Sequence, residues 1–244
     1  RGKDEVGELA QSFNQMSGDL ETYKQTLIDE TAIRSNLSRY LSPDLVEQIV
    51  AHKQQLALGG ERREVTVLFA DVVAFTPMAE NLPPETIVKI LNELFTYLTE
   101  IIFRHGGTVD KFLGDCVMAV FGAPNAHDDD PLRAVRAAEE MMSWLDVGNT
   151  RWESQIGAKL ALGIGINTGE AVAGNIGSEK RMEYTVIGDA VNIAARLESL
   201  AQPGQIVLTK ATMQRIEDEI DCVSLGERDL FGRNRPVELF AVDL

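Results

Sequence analysis

The sequence predicts an α+β or α/β sandwich, one mixed sheet with covering helices, preceded by an N-terminal coiled-coil helix. Three observations predict it. From residue 61 onward the signals run strand, helices, hairpin, helix, hairpin, helix and strand, an order that suits one mixed sheet covered by helices on one face. Before that, apolar residues from Val6 to Leu27 recur at steps of three and four. Finally, Gly107 to Pro124 reads as an apolar β-hairpin with a carboxylate, Asp115, at its turn.

In residues 1–27 the apolar positions are Val6, Leu9, Phe13, Met16, Leu20, Tyr23 and Leu27, with polar or charged residues between them, as in a coiled-coil seam facing water. Residues 28–60 read as linker helices. There Glu30 and Arg34 take the next seam positions, while Ile28, Ile33, Leu37 and Leu41 move the apolar stripe around the helix. Ser42 is an N-cap with Pro43 at the first helical position, a short helix spans Asp44 to His52, and Gly59-Gly60 marks the boundary to the main domain, residues 61–244.

The main domain opens on Glu64 to Ala70, a run too continuously apolar for a half-exposed strand and therefore central in a sheet. It delivers Asp71 at its end. Pro83-Pro84-Glu85 starts a helix with Ile87, Ile90, Leu91, Leu94, Leu98, Ile101 and Ile102 on one face, and His105-Gly106-Gly107 stops it. The hairpin follows, with strands Thr108 to Leu113 and Cys116 to Phe121 and Gly114 at the turn. Asp128-Asp129-Asp130-Pro131 caps a helix expected to run to about Leu145, and His127 before it reads as a solvated loop residue. Lys159 to Asn167 alternates like a strand, with Glu170 to Ile176 as its antiparallel partner across a Thr168-Gly169 turn. A helix over Gly188 to Leu200 and short strands at Gln205 to Leu208 and Val237 to Val242 complete the domain.

Composition narrows the function classes. A net charge of −15 with no local basic patch excludes a phosphate-backbone partner, so no nucleic acid is expected. Cys116 and Cys222 are far apart and lack metal-ligand spacing, which suits reduced core thiols. No apolar run is long enough to span a bilayer and no signal peptide opens the chain. Because the first residue is Arg and the sequence opens in mid-helix, the expectation is a soluble cytoplasmic piece of a longer protein.

The chemistry-bearing residues are carboxylates at strand ends. Asp71 and Asp115 come together if their strands are neighbours, and two hard oxygen ligands at one sheet edge suit Mg²⁺ or Mn²⁺ with substrate phosphates. The turn after Asp71, Val72 to Thr76, leads into a helix where backbone N–H groups can meet a phosphate chain. The bland alternative is two unrelated strand-ending Asp residues, with Lys111 snorkelling from a surface hairpin.

Three stretches in register decide between these. FADVVAFT (Phe69 to Thr76), DKFLGDCVMAVFG (Asp110 to Gly122) and EYTVIGDAVNIAARLE (Glu183 to Glu198) stand in the order and approximate spacing of the class III nucleotidyl cyclase catalytic domain, which the chain strongly resembles from about Arg62 onward. Asp4 to Met16 also resembles the second helix of a HAMP domain, the dimeric relay that follows transmembrane helices in bacterial receptors. The resemblance implies that Asp71, Asp115 and the Val72 carbonyl hold two Mg²⁺ or Mn²⁺ ions, and that Asn192 and Arg196 orient the ribose and stabilise the α-phosphoryl transition state. It implies that Phe75 and Thr76 lie along the triphosphate, and that Arg233, or Arg235 beside it, supplies a triphosphate cation. Lys111 and Thr185 take the base-reading positions. A Lys at the first implies ATP, where guanylate cyclases carry an acid; Thr at the second resembles the subgroup found in cyanobacterial and soluble, bicarbonate-responsive cyclases. The resemblance implies an α+β fold with a ferredoxin-like, palm-like mixed sheet behind a parallel coiled-coil helix. The family geometry further implies a homodimer, with metal ligands from one copy and base and transition-state residues from the other, and an upstream transmembrane sensor in an inner- or plasma-membrane protein. Two alternatives stay open: a guanylate or promiscuous cyclase, and a catalytically silent dimeric relay. A diguanylate cyclase is a poorer match, since its GG-acid-acid-F turn is absent.

Overall fold

The structure, a computed structural model, describes residues 2–37, 46, 58–233 and 235–244. It divides into two units, Arg1–Leu56 and Ala57–Leu244. In the first, α1 spans Gly2–Leu37, so the change of apolar stripe after Leu27 does not break the helix. Leu9, Phe13, Met16, Leu20, Tyr23 and Leu27 are all exposed on this one chain. The expected cap at Ser42 and the helix from Asp44 to His52 fall outside the described residues, apart from Val46.

The second unit is built on one eight-stranded mixed sheet. Strands β1 (Gly59–Val72), β2 (Thr108–Leu113), β3 (Cys116–Phe121), β4 (Leu162–Ser178), β6 (Gln205–Thr209), β7 (Cys222–Arg228) and β8 (Val237–Val242) lie in the order β2-β3-β1-β4-β6-β8-β7, and β5 (Arg181–Ile187) pairs with β4. Only the β4–β6 pairing is parallel among those described. The helices are α2 (Phe75–Ala79), α3 (Pro84–Arg104), α4 (Asp130–Ile156), α5 (Asp189–Glu198) and α6 (Lys210–Met213).

Both faces of the sheet are covered, which corrects the one-face expectation. β1 is apolar on each side, and neither side can be left to water. Leu68, Ala70 and Val72 pack into the larger core with Leu94 and Leu98 of α3 and Met141 of α4. Val65, Val67 and Phe69 point the other way, into a cluster with Ala194 of α5 and Val186 of β5. On that face Gly165 has to be glycine, because a side chain there would collide with the backbone of Ala194 and Glu198.

Three expected boundaries move. Gly59 and Gly60 belong to β1, where they pair with Asn175 and Gly174, and do not precede the domain. The supposed turn at Thr168-Gly169 is the middle of β4: β1 starts early enough to pair with β4 over its whole length, and Thr168 is held in a buried network. Its Oγ1 lies 2.9 Å from Thr66 Oγ1, and its N–H donates to Thr212 Oγ1 at 2.9 Å. The antiparallel partner of the second half of β4 is β5, a strand hidden inside the third motif. Helix α4 runs on to Ile156, because Trp152 is fully buried and the Asn149 amide bonds both backbone groups of Leu160, at 2.8 and 2.7 Å. Its polar stretch after Leu145 conceals that inward face.

Candidate active site

Antiparallel pairing of Ala70 with Val117 puts the end of β1 beside the start of β3, and thus Asp71 beside the β2–β3 turn. That turn has two residues, Gly114 and Asp115, between the paired Leu113 and Cys116. Gly114 adopts φ 70°, the left-handed conformation a tight hairpin asks of its first turn residue. The Asp115 charge reaches Asp71. Asp71 is pushed up to about 6, by burial first and then by the Asp115 charge, against the pull of the Val72 backbone. Burial also raises Asp115. Glu198, at the C-terminal end of α5, is pushed up to about 7 by burial and by both aspartates. No cation contributes to any of these three shifts. The neighbouring Cys116 is buried and its thiol raised, so it is a packing residue.

Glu198 was not among the candidates read from the sequence, because only the packing of α5 on β4 brings it toward β1. Together the three acids form a cation-seeking surface of hard oxygen donors, and the like-charge strain within it is what a divalent ion relieves. Among the described residues no three His, Cys, Asp or Glu side chains converge closely enough to hold an ion by themselves. Asp71 and Asp115 therefore fit a metal that takes its remaining oxygens from backbone and substrate.

A stability prediction follows from these raised carboxyls. A group whose folded-state value lies above its unfolded value favours the folded state at low pH, and that contribution is lost as pH rises through the folded value. For Asp71 the window runs from about 4 to about 6. Asp71→Asn protein should therefore be more stable than the parent at pH 7.5 in EDTA, by about 1 kcal/mol after allowance for screening at a half-buried site, or roughly 2–4 °C in melting temperature. At pH 4 the difference should vanish. Thermal melts at the two pH values check this, and equal or lower stability of the variant at pH 7.5 would refute it.

Beyond Asp71 the chain turns sharply. The Val73 N–H donates to Ala161 O at 2.8 Å, and Ala74 adopts φ 56° and ψ 32°, a left-handed conformation a non-glycine residue takes only at some cost. This strained corner launches α2. Phe75 packs on the main core and Thr76 faces solvent.

The remaining candidates lie on β2, β5 and α5 and the loop before β8. Lys111 Nζ lies 3.1 Å from Glu183 Oε2 and 3.6 Å from Asp110 Oδ2, and the Thr185 hydroxyl donates to that same Asp110 oxygen at 2.9 Å. Lys111 and Thr185 thus share a partner. Four residues apart on α5, Asn192 is exposed and Arg196 half-buried. Arg196 Nη1 is buried without a hydrogen-bond partner among the described residues, and a side chain added at Gly232 would meet its Nη2. An orphaned guanidinium nitrogen is a standing demand for an anion. Arg233 lies 3.2 Å from Asp189 Oδ2, and Arg235 is exposed. His127 is exposed on its loop, with Nδ1 3.3 Å from Asp130 Oδ1.

Within one chain, then, Asp71 stands with Asp115, and Lys111 stands with Thr185. No basic side chain from the second set acts on the carboxylates of the first.

Comparison with known proteins identifies the family. The family model described as the adenylate and guanylate cyclase catalytic domain matches residues 60–242, and that of the HAMP domain matches residues 1–22. An uncharacterized protein of Mycobacterium tuberculosis is 36% identical over 242 residues, covering 96% of this chain and 41% of the relative. The chain thus spans about two fifths of the length of such relatives. Among solved structures, the adenylyl cyclase CyaB from P. aeruginosa superposes with a TM-score of 0.74 at 37% identity, over 77% of this chain and 97% of that one. The guanylyl cyclase Cya2 superposes with a TM-score of 0.72 at 42% identity, over 76% and 94%. No helix among the described residues is long and apolar enough to cross a membrane.

Proposed function

The chain belongs to the adenylate and guanylate cyclase catalytic domain family, and from that premise we propose that it converts ATP to 3′,5′-cyclic AMP and pyrophosphate at sites shared by two copies of the chain. The observation that carries the choice of ATP is the pairing of Lys111 with Thr185 through Asp110. An ammonium can only donate, which suits an adenine ring nitrogen, and a hydroxyl oxygen can accept from the exocyclic amine.

Asp71, Asp115 and the Val72 carbonyl are the residues that would hold Mg²⁺ or Mn²⁺. Bound there, two ions would supply activation of the ribose 3′-hydroxyl and neutralisation of the pyrophosphate. The protein's own residues do the rest. Asn192 orients the ribose, and Arg196, with one nitrogen unpartnered, answers the charge that builds on the α-phosphoryl group. The corner at Ala74 presents the backbone of Phe75 and Thr76 to the triphosphate. Arg233 offers a cation to the same phosphates, once it exchanges Asp189 for substrate.

That neither Lys111 nor Arg196 acts on Asp71 or Asp115 within one chain supports the shared site. With the exposed apolar stripe of α1 and the HAMP match, it also supports a parallel homodimer in which a sensor upstream in a membrane receptor sets how the two catalytic domains meet. In this division residues 1–27 are the HAMP-like helix, the residues from 28 up to β1 the transducing linker, and the cyclase starts with β1 at Gly59, two residues before the expected boundary.

The 42% identity to a guanylyl cyclase keeps GTP as the second reading. Parallel assays with ATP and GTP in Mn²⁺ distinguish them: cyclic AMP should be the dominant product, and dominant cyclic GMP would overturn the assignment.

A further inference from the structure

A hydroxyl has one proton to give and two lone pairs to offer, so Thr185 alone could read either a 6-amino or a 6-oxo purine. What surrounds it removes the ambiguity. The Thr185 hydroxyl donates its proton to Asp110 Oδ2 at 2.9 Å, and the Asp110 side chain is only 2% exposed. The same oxygen lies 3.6 Å from Lys111 Nζ, which favours the ionised, acceptor-only carboxylate. Burial raises the Asp110 carboxyl, while the Thr185 hydrogen bond and the Lys111 charge pull it back.

Backbone geometry explains how adjacent residues come to share this site. In a regular strand Asp110 and Lys111 would point to opposite faces. The β2–β3 register breaks here: Val109 pairs with Ala119 and Lys111 with Met118, leaving Asp110 as the extra residue of a β-bulge. The bulge turns the carboxylate toward its neighbour's ammonium and toward β5, where Thr185 sits opposite Gly174 of β4.

We infer that Asp110 is a specificity-positioning residue: by holding the Thr185 proton it leaves that oxygen only lone pairs to show the base, so the site accepts a purine 6-amine and repels a 6-carbonyl. This rests on the reading of Lys111 and Thr185 as the base-contacting pair. Asp110 itself needs no contact with nucleotide; it sets the polarity of a residue that has one.

The test compares kcat/KM for ATP and ITP, which differ at the purine 6-position and in the proton the 6-oxo base carries on N1, in the homodimeric chain; the Lys111 contact to N1 is common to every variant compared. Asp110→Leu keeps the bulk of the side chain and removes the acceptor, and Asp110→Ala serves as a second variant. With the hydroxyl proton released, the ATP:ITP ratio should fall at least about tenfold. In a Thr185→Val background the same Asp110 substitutions should leave the ratio within about twofold, since no hydroxyl remains to be oriented. Thr185→Val alone should improve ITP relative to ATP by removing the lone-pair repulsion, a result that does not depend on the Asp110 variants folding. An unmoved ratio in the Asp110 variants, an equal fall with and without the Thr185 hydroxyl, or no relative gain for ITP in Thr185→Val would each overturn the inference. Preference of the parent protein for GTP would fail the adenylate reading as well, whereas preference for ATP with an unmoved ATP:ITP ratio fails this inference alone.

Discussion

Asp71→Ala protein should lose cyclase turnover by at least a thousandfold, about 4 kcal/mol of transition-state stabilisation, which is the scale of a metal's contribution to a charge-separating step. The cause is local. Asp71 lies near the end of the central strand within reach of the Asp115 charge, and each carboxyl is raised toward neutrality by desolvation, so the pair is poised for a cation and for little else. Removing one member halves the donor set while lessening the like-charge strain in the rest. The variant is thus expected to be folded, at least as stable as the parent at neutral pH, and inactive. Steady-state assays of product from ATP in Mn²⁺, alongside a thermal melt, measure both. Retained turnover within tenfold of the parent would remove Asp71 from the metal site.

Arg196→Ala protein should still take up nucleotide but turn over about a hundred- to a thousandfold more slowly, the cost of deleting one preorganised donor to a developing charge. Its guanidinium is half-buried on α5, with Nη1 lacking a partner among the described residues. A group held this way has been prepaid for an anion that arrives only during reaction. The loss should appear in kcat, with KM changed by less than about threefold. A rise in KM at constant kcat would instead make Arg196 a ground-state phosphate anchor.

The parts of this fold that were legible in the sequence are those whose signal is local. The Gly114-Asp115 turn, the continuous apolar run ending at Asp71, and the four-residue spacing of Asn192 and Arg196 all state their geometry within a few residues. Features made by distant partners were hidden. The turn expected at Thr168-Gly169 looked sound because Thr and Gly punctuate strands, but the bonds that keep Thr168 inside β4 come from Thr66 and Thr212. Glu198 reads as the polar end of a helix until α5 is laid across Gly165. Asp110 passes as one residue of the second motif until the bulge turns it toward Thr185. The one-face expectation overlooked β1 itself, where Val65, Val67 and Phe69 need cover as much as Leu68 and Ala70 do.

The division of labour between copies is the central claim, and mixing the two inactive variants tests it most directly. Asp71→Ala and Arg196→Ala chains, co-expressed with different tags and purified through both, form heterodimers with one doubly damaged site and one intact site. Cyclic AMP synthesis should return to about half the parent's rate per dimer, the ratio of one working site to two. Tandem-purified heterodimers that stay as inactive as either variant alone would show that both residues serve one chain's site, and would contradict the shared site.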